Sequence, residues 1–232
     1  MQTRTLSLTR ILLLCGAIAG PLFVLIVLIQ DYTRPGFDPR QYLLSVLSLG
    51  DWGWVQITNF VLTGVLNLLY GVGLWRRLHP GRAGTWGPIF IGVYGLILIT
   101  VGVCTTDPVN GYPPGSVAPT GPSWHGFIHA LGALFAFLTL STALAILSRY
   151  FLARKERGWA LYLLASAVLM LVCLFGGFTN PELPARAVRL GVLIGWMAAS
   201  IVAMRLFSDA DASQHASHEG EVKLSARSPE AV

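Results

Sequence analysis

Six runs of apolar residues divide the chain, at 8–30, 55–75, 86–106, 124–150, 159–178 and 187–207. Each is close to the roughly 20 residues that cross the hydrocarbon core of a bilayer. Polar positions inside the runs are sparse, so the pattern predicts an all-α fold: a polytopic membrane bundle of six transmembrane helices, forming one domain over 1–207. The connection between the first two runs, 31–54, is too long for a turn. Its middle, 41–49, sets Tyr42, Leu43, Val46, Leu47 and Leu49 around Ser45 and Ser48, which predicts a short amphipathic outer helix on the rim of the bundle. Asp38-Pro39 supplies its start, with Asp38 as cap and the proline in the first turn. Arg34-Pro35-Gly36-Phe37 before it reads as a tight turn. Thr106-Asp107-Pro108 and Thr179-Asn180-Pro181 end the third and fifth runs alike, because helix is disfavoured in the residue before a proline; this rhyme is consistent with a diverged internal repeat. Residues 208–232 have no apolar period, and their Ser, Ala, Asp, Glu and His content predicts a disordered cytoplasmic tail.

Composition agrees with the pattern. With 54% hydrophobic and 12% charged residues, the chain lies outside the range of soluble domains, where about a quarter of residues are charged. The net charge of +5 calls for no nucleic-acid partner, since its arginines report orientation. Arg10, Arg76, Arg77, Arg82, Arg149, Arg154, Lys155, Arg157 and Arg205 all fall on one side if six spans alternate. The positive-inside rule then puts both termini in the cytoplasm of a cell whose plasma membrane holds the protein. The opposite, outer side receives the connections 31–54, 107–123 and 179–186, with Trp52, Trp54, Tyr112 and Trp124 as an aromatic belt. The first run is too long for a signal-peptide core, so Ala17-Ile18-Ala19 is not taken as a cleavage site. Cys15, Cys104 and Cys173 lie in separate apolar runs and form no C-x-x-C pair, which indicates neither a disulfide framework nor a thiolate metal site.

The candidate chemistry gathers on the outer side. The mid-span positions are poor in charge, which disfavours a proton-coupled transporter. Asp31, Arg34, Asp38, Ser45, Asp107, His125, His129 and Arg189 form a candidate outer polar pocket, either a structural hydrogen-bond network or a site for a lipid or small-molecule ligand. His125 and His129 stand one helical turn apart on one face. With Asp107 they make a candidate set for a divalent metal such as zinc, whose bound water would be a hydrolytic nucleophile. In that alternative, a metal-dependent membrane hydrolase acting on a lipid or related amphiphile, Ser45 and Asp107 are the catalytic candidates and Arg34 would hold an anionic headgroup by a forked contact. No G-x-S-x-G elbow accompanies Ser45.

Several of these residues carry a resemblance. Gly16, Gly20, Pro21 and Phe23, then Asp31, Arg34-Pro35-Gly36-Phe37-Asp38-Pro39, Ser45, Leu47, Gly53-Trp54, Gln56, Asp107-Pro108, His125 and His129 together resemble the domain-of-unknown-function family numbered 998. The resemblance implies a six-helix membrane protein, mainly prokaryotic, with no established activity. The Ser, Asp and His set by itself looks like that of membrane-embedded ceramidase-type hydrolases, which use three histidines where this chain, outside its tail, offers two on the outer side; Glu182 is the outer carboxylate left to substitute.

Overall fold

A computed structural model describes residues 7–109, 111–117, 119–177, 179 and 183–225. Its six long helices are α1 (Leu8–Thr33), α2 (Gly53–Leu78), α3 (Arg82–Val103), α4 (Trp124–Ala153), α5 (Arg157–Gly177) and α6 (Pro184–Ser225). All six are long and apolar enough to span a membrane, and the described residues contain no strand. Each helix packs on its neighbours in sequence, and α6 returns to α1, so the six close into a ring. Large apolar side chains such as Leu25, Val72, Leu96, Phe135, Leu169 and Leu193 remain exposed on the outside of that ring, the surface expected of helices whose solvent is lipid.

Small residues let the helices approach. Gly64 of α2 and Gly95 of α3 face each other so closely that a Cβ on either would stand 2.6 Å from the carbonyl oxygen of the other; this is the packing device of membrane helices. Between α1 and α6 the Ser200 hydroxyl donates to the Gly16 carbonyl at 3.0 Å and accepts from the Gly20 amide at 3.3 Å. It therefore stands between two groups that an uninterrupted helix would pair, one residue before Pro21, whose missing N–H already opens the ladder there. On the α2 side, Asn59 Nδ2 donates to the Phe23 carbonyl at 3.2 Å and Gln30 Nε2 to Gln56 Oε1 at 2.8 Å.

One end of the ring carries both long connections, 34–52 and 104–123, and is termed the long-loop end. The other carries most of the arginines. There Arg76 Nε donates to Thr9 at 3.1 Å, Arg10 lies over the Phe207 ring at 4.6 Å, and Glu156 pairs with Arg154 at 3.0 Å and Arg205 at 3.6 Å. The ring is filled at this end by Leu13, Tyr70, Leu74, Leu144, Leu147 and Leu163, all fully buried.

Two local expectations are revised. The stretch 41–49 forms only a short 3-10 turn, Leu44–Ser48, and Leu44, Val46 and Leu47 are all buried. Its apolar residues enter the bundle instead of lying along one face on the rim. Helix α3 ends at Val103, ahead of Thr106-Asp107-Pro108, because side chains of α4 take the carbonyls a further turn would use. Helix α6 runs on past 207 through the segment 208–225. That segment holds strong helix formers such as Ala and Glu and has no proline before Pro229. Residues 226–232 lie outside the described residues, as do Asn180, Pro181 and Glu182.

Candidate functional site

The two long connections fold onto each other and roof the ring. Arg34-Pro35-Gly36-Phe37 makes the expected tight turn, with the Phe37 amide on the Arg34 carbonyl at 3.3 Å and Gly36 at φ 71°. A side chain at Gly36 would also meet Pro114, 2.9 Å away. Phe37, Tyr42 and Tyr112 form a triangle with ring centroids 5.3–5.7 Å apart. Tyr112 is thus buried between the loops, whereas Trp52, Trp54 and Trp124 are exposed. Buried Arg34 donates from Nη2 to the Leu47 carbonyl at 2.9 Å and to that of Leu49. These bonds pin the 3-10 turn beneath it, so this guanidinium edge is spent on backbone. Asp38 accepts from the Arg40 amide at 2.8 Å and Gln41 Nε2 at 2.9 Å, capping the turn that follows Pro39. Those two bonds hold its carboxyl below the ordinary aspartate range.

Asp107, His125 and His129 all lie at the junction of α3 and α4, each bonded to a different partner. His125 Nδ1 lies 2.8 Å from the Thr105 carbonyl; His129 Nδ1 lies 2.9 Å from that of Val101 and 2.8 Å from that of Cys104. These are carbonyls of the last turn of α3 and the residues just beyond it, which lack intrahelical donors. In the other direction Asp107 accepts from the Ser123 amide at 2.9 Å and hydroxyl at 2.6 Å, while the Ser123 hydroxyl accepts from the Gly126 amide at 3.0 Å. The start of α4 is therefore capped twice, by Ser123 and by a carboxylate at its positive end. The Ser123 bonds lower the Asp107 carboxyl below its ordinary range. A Cβ at residue 126 would collide with this carboxylate at 2.1 Å, which accounts for Gly126. Among the described residues no three His, Cys, Asp or Glu side chains are grouped as for a metal ion.

Asp31 and Arg189 meet away from this junction. Arg189 Nη1 donates to both Asp31 oxygens, at 3.0 and 2.7 Å, tying α1 to α6. The eight predicted residues are therefore distributed over separate places: a clasp at α3 and α4, a pair at α1 and α6, Arg34 and Asp38 within the loop, and Ser45 below it.

What joins two of them is a cavity the sequence pattern did not announce. Beneath the roof, inside the ring, lies a space of about 610 Å³. Every helix contributes a large side chain to its wall: Phe23, Phe60, Tyr94, Phe137, Met170 and Trp196, in order from α1 to α6. Leu43, Leu44 and Ser45 of the loop face it, and Ser45, Thr106 and His129 are polar residues in an otherwise almost wholly apolar lining. The Phe23 ring stacks obliquely on Trp196 at 4.1 Å and Phe60 at 5.2 Å, while His129 meets Phe60 edge-on at 6.3 Å. Aromatic residues facing a cavity and those facing lipid have the same sequence signature, so nothing in the chain singled these out.

Comparison with curated proteins and with solved structures returns no match. The family model described as "Protein of unknown function (DUF998)" matches residues 17–205, and the chain belongs to that family.

Proposed function

We propose that this is a multi-pass plasma-membrane protein whose long-loop end faces away from the cytoplasm and which holds an apolar or amphiphilic molecule, such as a lipid, in the central cavity. The observation that carries the proposal is the cavity of about 610 Å³, aromatic-walled, with polar groups gathered toward its roofed end. Its size lies within the few hundred to about 1,000 Å³ typical of small-molecule sites. An empty apolar void costs stability roughly in proportion to its volume, so an occupant of matching chemistry lowers the free energy of the bundle. His129 can orient one polar group of that occupant. Its Nδ1 faces two carbonyl oxygens and so carries the proton, which leaves Nε2 of the neutral ring an acceptor. The arginines clustered at the opposite end support the orientation through the positive-inside bias.

Metal-dependent hydrolysis is the weaker reading. Asp107 commits both oxygens to Ser123, and among the described residues no three His, Cys, Asp or Glu side chains are grouped as for a metal ion. The proposal is tested by purifying the protein in neutral detergent and measuring by mass spectrometry what remains bound, beside Ala133→Trp, which projects an indole into the cavity. The parent is expected to retain about one apolar molecule per chain and the variant, still cooperatively folded, to lose it. Equal retention by both would refute it.

A further inference from the structure

We infer that the free edge of the Arg189 guanidinium, with Arg186 beside it, receives the oxyanion of a single-chain amphiphile, carboxylate or phosphate, whose chain lies in the groove between α1 and α6. This inference rests on the cavity-binding proposal and supplies the class of ligand. The groove is a second cavity of about 380 Å³. It shares Phe23, Leu44 and Val192 with the central one, so the two spaces adjoin. Its wall is apolar along α1, from Phe23 to Leu28, and along the facing part of α6; Arg186 and Arg189 stand at its long-loop end.

Arg189 is bonded on one side only. Nη1 serves Asp31, whereas Nε and Nη2, which together form the other fork of the guanidinium, are buried and have no partner among the described residues. Two buried donors of a cation left unpaired are costly. A carboxylate or phosphate accepts from both at once, in the planar geometry that makes arginine the usual partner of these groups. The charges facing the spot are Arg189, Arg186 and the Asp31 carboxylate, and Asp38 stands within electrostatic reach of Arg186 but is already bonded to Arg40 and Gln41. The apolar groove that Arg186 and Arg189 line favours an anion with a hydrocarbon chain over a free anion.

The test measures binding of dodecyl phosphate, dodecanol and inorganic phosphate to the full chain in neutral detergent. Parent, Arg186→Gln and the double variant Asp31→Asn/Arg189→Gln are compared; the double change removes both charges and so avoids stranding a buried carboxylate. The parent is expected to bind dodecyl phosphate about tenfold more tightly than dodecanol, a difference of about 1.4 kcal/mol. The double variant should bind the two alike, and Arg186→Gln should lose about half of the preference on a logarithmic scale, a readout that stands if the double variant does not fold. Equal binding of both amphiphiles by the parent, or an unchanged preference in a folded variant, overturns the inference while leaving the cavity proposal standing. Inorganic phosphate binding as tightly as dodecyl phosphate assigns the fork to a free anion and also overturns it. Failure of the parent to bind either amphiphile defeats the cavity proposal itself.

Discussion

Asp107 and His129 sit across one helix junction, and each answers the unpaired backbone of the other's helix. The i, i+4 histidine spacing is what a zinc site asks for, and it is equally what two consecutive orphan carbonyls ask for when a helix end lies alongside. Sequence spacing alone does not separate these uses; here each Nδ1 meets carbonyl oxygens, of Thr105 for His125 and of Val101 and Cys104 for His129, and among the described residues no three His, Cys, Asp or Glu side chains are grouped as for a metal ion. Asp107 yields a pH prediction. Its folded carboxyl is depressed by the Ser123 bonds, so the stability it supplies is complete above the ordinary aspartate value of 3.8 and is lost as pH falls through the folded value. Thermal unfolding in detergent should show the parent losing stability below about pH 4, and Asp107→Asn, less stable at neutral pH, losing less on the same descent. A parallel fall in both would mean the carboxylate contributes nothing specific to its charged form.

At the scale of elements, the six helices were legible because span length and apolarity suffice to define them in lipid. Their ends were less so. The predicted terminus of the third run lay at 106, yet α3 stops at Val103, because His129 competes for its carbonyls from a helix distant in sequence. The stretch 41–49 gives only a 3-10 turn for a similar reason: Arg34, whose reach across the loop no local pattern reveals, anchors the carbonyls of Leu47 and Leu49. Glycine reads more directly. The Gly64 and Gly95 contact leaves no room for a Cβ on either side, so Gly95→Ala should destabilise the bundle by about 1–3 kcal/mol through overpacking. Denaturation in mixed micelles measures this, with Gly92→Ala, where a Cβ meets nothing within 4 Å, as the comparison. Equal effects of the two substitutions would remove the contact from the account of how α2 and α3 associate.

For the whole molecule, ring closure is the step that creates the central space. At the arginine-rich end leucines and Tyr70 fill the ring; toward the long-loop end aromatic side chains line it without filling it, and the loop roofs what remains. None of this was legible as a cavity, because a residue's apolarity does not say whether it faces a neighbour, lipid or an interior space. Of the polar residues singled out from the sequence, Arg34, Asp38 and Asp107 bond within the loops and at a helix end, while Ser45 and His129 face the apolar space itself. The most direct test is photolabelling with a dodecyl alcohol that carries a diazirine at the end of its chain, followed by peptide mapping of the protein in lipid nanodiscs. Binding in the cavity predicts label on Phe137, Met170 and Trp196, saturable by unlabelled dodecanol and absent in Ala133→Trp. Label confined to the lipid-exposed Phe135, Leu169 and Leu193, and not competed by dodecanol, would contradict it.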